Sequence, residues 1–336
     1  MITLGIESTC DEMAVAVVKD GIEILSNVIA SQSDYHKKFG GVYPEMAARQ
    51  HVDLLIPTIQ EALELAGEEP DLIAVAMGPG LIGPLMIGLN AAKTLSLAWN
   101  KPFLGVNHVE AHLYAAMMSN RSFVFPALGV VVSGGHTFLV KILDVGRYEM
   151  IGTTVDDAIG EAFDKVAALL DLPYPGGPEV EELARNGDAS RFPYKAGKVK
   201  GSPWNFSFSG LKTNVLYTVK GQNGDKRGKS AISEEDKPDV AASFQEVALR
   251  DVVDKALRAA KEFDCQAIYV GGGVSHNRRL RELLDRELPV YFPGEGLSLD
   301  NAAMIAGLGT KLYAGKGDPL DLEPFSRLND AWFRKS

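Results

Sequence analysis

The chain writes the same local pattern twice. Residues 2–31 read as strand, polar turn, strand, glycine turn, strand. The polar turn is Glu7-Ser8-Thr9-Cys10-Asp11-Glu12, the second strand Ala14–Val18, and the tight turn Lys19-Asp20-Gly21. Residues 127–153 repeat it, with Ala127–Val132 as strand, Ser133-Gly134-Gly135-His136-Thr137 as polar turn and Phe138–Leu143 as strand. After each unit comes a helical stretch, then another apolar strand ending in glycines: Leu72–Met77 with Gly78-Pro79-Gly80, and Ala267–Val270 with Gly271-Gly272-Gly273. Similar units about 125 residues apart predict a duplicated α/β fold, two lobes with a nucleotide cleft between them. The expected lobes are 1–112 with 301–330, and 113–300.

Composition narrows what such a fold can do. The 336 residues suit two domains. Cys10 and Cys265 make neither a disulfide framework nor a zinc ribbon, so a reducing compartment is expected. With 34 basic and 44 acidic residues the net charge is −10, so a nucleic-acid role needs a local basic patch or a helper protein. Arg191, Lys195, Lys198 and Lys200 are the best such patch. The N-terminus reads as a strand and not a signal peptide. The apolar run from Leu81 to Trp99 is interrupted by Pro84, Asn90 and Lys93, and reads as a buried helix and not a membrane span. A cytoplasmic protein without membrane contact is expected. Residues 186–239, rich in Gly, Lys and Asp, read as the loosest region, with Lys220–Pro238 a solvated loop.

Four motifs can carry chemistry. The paired polar turns expose backbone N–H groups and hydroxyls suited to phosphate oxygens, or are simply hairpins. Asp11 and Glu12 would repel phosphate, so they are expected to hold a cation or water, or to orient a substrate amine. Gly271-Gly272-Gly273-Val274-Ser275-His276-Asn277 leaves a strand and enters a helix, where a ligand can approach the backbone, but it lacks the dinucleotide fingerprint. In His108-Val109-Glu110-Ala111-His112, histidines at i and i+4 share a helix face and can reach one metal; Glu110 lies about 200° round the helix and is a poor ligand. Asp300, before the helix Asn301–Tyr313, is the candidate third ligand, or else a helix cap. Asp164, before Tyr174-Pro175-Gly176-Gly177-Pro178, can accept ribose hydroxyls where Gly177 opens space. Gly224–Ser230 is one residue short of a P-loop, and Ser133 lacks a nucleophile elbow.

These motifs, together with Phe39-Gly40-Gly41-Val42-Tyr43-Pro44-Glu45, Gly78–Gly83, Asn205–Thr213 and Asp300–Ala306, resemble the bacterial TsaD family, once called Gcp or O-sialoglycoprotease, over nearly the whole chain. The resemblance implies the actin/Hsp70/sugar-kinase (ASKHA) fold. It implies a transferase that moves a threonylcarbamoyl group from threonylcarbamoyl-AMP to N6 of the adenosine 3′ of the anticodon in tRNAs reading ANN codons, releasing AMP. It further implies one Fe2+ ion, with Zn2+ an alternative, on His108, His112 and Asp300. The nucleotide would lie on Val131, Val132, Ser133, Gly134, Gly135, Asp164, Gly177, Glu181 and Asn277. Asp11 and Glu12 would serve catalysis. A TsaB-like paralogue and a TsaE-like ATPase are the implied partners. Met13, Phe138, Leu299 and Ala302 depart from the usual family residues. Competing readings are a metalloprotease, which Glu110 is badly placed to serve, a nucleotide-driven scaffold or chaperone, and a sugar kinase.

Overall fold

The computed structural model describes residues 1–32, 43–221, 231–284 and 288–327. The motif residues Phe39–Val42, the near P-loop Gly224–Ser230, residues 222–230 of the expected loop Lys220–Pro238 and the end of the expected first lobe lie outside the described residues; of the rest of that loop, Lys220 ends one helix and Lys237 and Pro238 begin another.

The duplication is visible in strand order. The first sheet runs β3-β2-β1-β4-β5 and the second β8-β7-β6-β9-β10, so each strand has a counterpart five places on. The first holds β1 (Ile2–Glu7), β2 (Glu12–Lys19), β3 (Glu23–Ser31), β4 (Leu72–Gly78) and β5 (Phe103–Asn107). The second holds β6 (Ala127–Val132), β7 (Thr137–Asp144), β8 (Arg147–Thr153), β9 (Ile268–Gly271) and β10 (Val290–Tyr291). β1 pairs antiparallel with β2 and parallel with β4, and β6 pairs likewise with β7 and β9.

Helices cover both faces of each sheet. α1 (Pro44–Ala66) and α2 (Ile82–Trp99) cover the outer face of the first, where Leu4, Ile6, Met13, Val15 and Val17 form one core. The alternate residues Ala14, Ala16 and Val18 point inward, to a second core shared with α3 (His108–Asn120), α9 (Ala302–Leu312) and the inner residues Ala127 and Val131 of β6. Leu128, Val130 and Val132 point the other way, to a third core under α4 (Ile159–Leu169), α5 (Gly176–Ala184), α6 (Ser209–Lys220), α7 (Lys237–Glu262) and α8 (Arg278–Leu284). This period-two division of apolar strands between opposite cores is what strands buried on both faces require. α9 packs on β1, β2, β4 and β5. Gly5 admits it, because a Cβ there would lie 2.3 Å from the Ala302 carbonyl oxygen.

Two expectations change. The helix over 82–99 is not fully buried: Leu85, Leu89 and Ala92 are covered, but Ile82, Met86 and Leu97 are 49, 50 and 68% exposed. The segment after residue 186 is not loose throughout, since Phe192, Tyr194 and Trp204 pack against the third core. Among the described residues, no helix is long and apolar enough to cross a membrane.

Candidate active site

α3 lies between the sheets and is buried from His108 to Met118. A helix covered on all sides needs no amphipathic stripe, so polar side chains on it must find partners. Asn107 caps it, accepting from the N–H groups of Val109 and Glu110. The first turn then points His108 and His112 the same way, with ring centroids 4.7 Å apart.

Asp300 meets them. Its Oδ1 is 3.2 Å from His112 Nε2 and 3.6 Å from His108 Nε2. The cap of α9 is not Asp300 but Asn301, whose side chain accepts from the Met304 N–H. Asn301 therefore leaves the aspartate free to face the histidines. Ligands at about 2.1 Å in tetrahedral geometry sit about 3.4 Å apart, so the two spacings match a set closed on a zinc-sized ion. Single donor atoms of His108, His112 and Asp300 all lie within 4.8 Å of one another, so these residues can hold a metal. Glu110 is buried on the same helix but is not in the group, as its angle round the helix requires.

Glu7, not singled out in the sequence, completes the arrangement. It is fully buried at the end of β1. Its Oε1 accepts from the Thr9 N–H, and its Oε2 accepts from His108 Nδ1–H at 2.8 Å. With Nδ1–H held by Glu7, the proton that a metal would displace from this ring is the one on Nε2. A glutamate ending an apolar strand inside a polar turn is the signal that could have identified it.

The charges reinforce one another. Burial alone would lower the His108 imidazole, but Glu7 and Asp300 outweigh it and raise its pKa to about 9. Burial would raise Asp300, yet His108 and His112 hold it below the usual carboxylate range. Glu12, at the start of β2, is pushed up to about 9 by burial, then by Asp300 and Asp11. Burial, His108 and His112 push His136 down to about 4, leaving a neutral imidazole beside the group.

The second polar turn borders the same junction. Ser133 N–H donates to the His136 carbonyl, and the Ser133 carbonyl accepts from the Gly160 N–H that opens α4. A Cβ at Gly160 would lie 2.7 Å from that carbonyl oxygen, so α4 can approach only with glycine there. Gly134, Gly135 and Gly177 face open space. Val131 and Val132 are different: their side chains are fully buried in the cores, so only their main chain can meet a ligand. Asp164 accepts from the Gly176 N–H at 2.8 Å and so shapes the start of α5. Glu181 accepts from Arg278, both main chain and side chain. Asn277 Oδ1 caps α8 at the Leu280 N–H, while its Nδ2 donates to Gln245. Both residues thus brace the glycine turn after β9, and what they offer a ligand is what these bonds leave over.

Of the four departures from the family pattern, Met13, Phe138 and Ala302 are buried packing residues and Leu299 is 63% exposed. None displaces a side chain of the His/Asp group.

Comparison with known proteins identifies the family and the fold. Residues 23–307 match the family described as TsaD, tRNA N6-adenosine threonylcarbamoyltransferase. A tRNA N6-adenosine threonylcarbamoyltransferase of Protochlamydia amoebophila is 59% identical over 336 residues, covering 97% of this chain and 98% of the relative. That of Chlamydia felis is 47% identical, covering 97% and 96%. Among solved structures, full-length HypF in a phosphate- and nucleotide-bound form is 15% identical with a TM-score of 0.62, covering 94% of this chain and 47% of that longer one. The Acidaminococcus fermentans (R)-2-hydroxyglutaryl-CoA dehydratase component A is 15% identical with a TM-score of 0.51, covering 93% and 98%. These two show the ASKHA-type fold alone; the sequence relatives show the family. The chain belongs to the TsaD family of transferases, the tRNA N6-adenosine threonylcarbamoyltransferases.

Proposed function

We propose that the donor is threonylcarbamoyl-AMP, the acceptor N6 of the adenosine 3′ of the anticodon in tRNAs reading ANN codons, and the products N6-threonylcarbamoyladenosine and AMP. The observation that carries this reading is the convergence of His108, His112 and Asp300 with the polar turns of both halves of the duplication, the first bonded to His108 through Glu7 and the second bearing the open glycines 134 and 135.

The adenylate would lie along the open glycines 134, 135 and 177, its phosphate near their N–H groups and its ribose near Asp164. Glu181 and Asn277 would hold the turn after β9 against it. The lobes closing on it would be 1–112 with 301–330, and 113–300. When bound by His108, His112 and Asp300, Fe2+ or Zn2+ would polarise the carbonyl oxygen of the donor. Glu7 keeps His108 in the ligating tautomer. Asp11 and Glu12, on the neighbouring turn, hold the adenosine amine. As the N6–carbon bond forms and the carbon–oxygen bond to the phosphate breaks, Asp11 takes the proton that N6 sheds, the protonated Glu12 carboxyl stays a hydrogen-bond donor beside it, and AMP leaves with the electron pair. AMP is a good leaving group, so positioning and charge stabilisation supply most of the acceleration.

Val52 and Ile56 on α1, with Ile82 and Met86 on α2, leave apolar side chains exposed on two helices that pack together. This supports a protein partner of the TsaB-like kind, with a TsaE-like ATPase supporting turnover. A tRNA acceptor supports the reading that the enzyme acts in the cytoplasm. A metalloprotease has no support from Glu110, which faces away from the histidine pair.

Mass analysis of nucleosides from tRNA incubated with threonylcarbamoyl-AMP, the partners and this protein tests the reading. The modified base should form, and His108→Ala and His112→Ala should each abolish it. Undiminished product with both variants would remove the metal site from the mechanism.

A further inference from the structure

From Ser190 to Lys220 the chain has six basic side chains, Arg191, Lys195, Lys198, Lys200, Lys212 and Lys220, and no Asp or Glu. At the chain's own average such a stretch would hold about four carboxylates. Lys212 is engaged with Asp157 at 2.6 Å, and Arg191 with Asp236 at 3.9 Å. Lys195, Lys198 and Lys200 are exposed and form no ion pair with the described residues.

The segment bearing these lysines is pinned. Phe192 and Tyr194 stack at 5.9 Å and pack, with Trp204, on the third core. The Phe192 N–H donates to Ser243 Oγ, and Gly197 sits so close to Ser207 that a Cβ would lie 2.6 Å from its carbonyl oxygen. The strip is also joined to the cleft. Asp156 accepts from the Phe208 and Ser209 N–H groups, and the loop holding Asp156 leads into Gly160, which donates to Ser133 in the nucleotide turn.

We propose that Lys195, Lys198 and Lys200 form the docking strip for the phosphate backbone of the tRNA whose adenosine enters the cleft. The inference rests on the reading that tRNA is the acceptor. A protein of net charge −10 repels RNA on balance. A pinned stretch free of carboxylates, leading to the reaction centre, is where a polyanion can approach. Lysines contribute point charges that position a backbone without reading its sequence.

The test uses the full chain with its protein partners and an unmodified transcript of a tRNA reading an ANN codon. Lys195, Lys198 and Lys200 are all changed to Glu. The control changes exposed Lys19, Lys261 and Lys316 to Glu, which alters net charge equally. In the strip variant, KM and filter-binding Kd for tRNA should rise about tenfold or more, and the slope of log Kd against log salt should fall by about 2–3. Binding of threonylcarbamoyl-AMP and the melting curve should not move. A tRNA affinity and salt slope equal to wild type, or an equal loss in the control, overturns the strip. So does lost binding of a protein partner with tRNA binding intact. If the wild type binds tRNA but yields no modified base, the acceptor reading fails, while the binding series still decides the strip.

Discussion

Replacing Glu7 with Gln removes one charge and one acceptor from a fully buried site. The carboxylate receives two hydrogen bonds, from Thr9 N–H and from His108 Nδ1–H, the latter at 2.8 Å. Glutamine offers one acceptor atom. If that atom keeps Thr9, its NH2 faces His108 Nδ1, and the ring relieves the clash by moving its proton to Nε2, the atom aimed at Asp300. A metal that takes Nε2 then leaves the remaining proton on Nδ1 facing an NH2 group instead of a carboxylate. A buried hydrogen bond to a charged group is worth about 1.5–3 kcal/mol. Loss of a group that orients a metal ligand typically weakens binding by about 10–100-fold, or about 1.4–2.8 kcal/mol. The two estimates agree, so the variant should bind Zn2+ about 10–100-fold more weakly in competition with a chromophoric chelator near neutral pH. In a His108→Ala background, Glu7→Gln should add little, since its effect acts through that ring. Wild-type affinity in Glu7→Gln, with its metal-free melting unchanged, would refute the reasoning.

Two glycines should part company. Gly160→Ala forces a Cβ within 2.7 Å of the Ser133 carbonyl oxygen, so it should cost about 1–3 kcal/mol in thermal unfolding and weaken adenylate binding. Gly177→Ala meets no atom and lies in a helix, so it should melt at or above wild type while calorimetry shows weaker adenylate binding. Asn301→Ala removes the α9 cap, costing about 1 kcal/mol, and invites Asp300 to cap instead; metal titration should show reduced affinity. Burial opposes ionisation of Asp157, but Lys165 and Lys212 hold its pKa below the usual value. Its stabilising effect is therefore present above the ordinary carboxylate range and is lost as pH falls through the lowered value. Asp157→Asn should lower stability at neutral pH and flatten the acid limb of the denaturation curve; an unchanged acid limb would contradict this.

Much of this was legible in the chain because the relevant signals are local. Period-two apolar runs broken by polar turns gave away the repeated unit, and the i, i+4 histidines can only share a face. Asp300 was harder. It is distant in sequence, and its position before a helix fits capping equally well; only the fold shows that Asn301 takes that role. Glu7 was missed because a carboxylate at a strand end reads as part of an exposed turn unless its burial is known. The apolar run over 82–99 reads as core because sequence does not distinguish apolar side chains left exposed from those packed inside. Phe192, Tyr194 and Trp204 were passed over because the count of Gly and Lys around them outweighed three anchoring rings.

The most direct check on the central claim is a crystal of the metal-loaded protein soaked with a non-hydrolysable analogue of the donor adenylate, with diffraction recorded at the metal edge. One anomalous peak should lie about 2.0–2.2 Å from His108, His112 and Asp300, with the nucleotide running along Gly134, Gly135 and Gly177. A peak held by other side chains, or a nucleotide lodged elsewhere, would contradict the account.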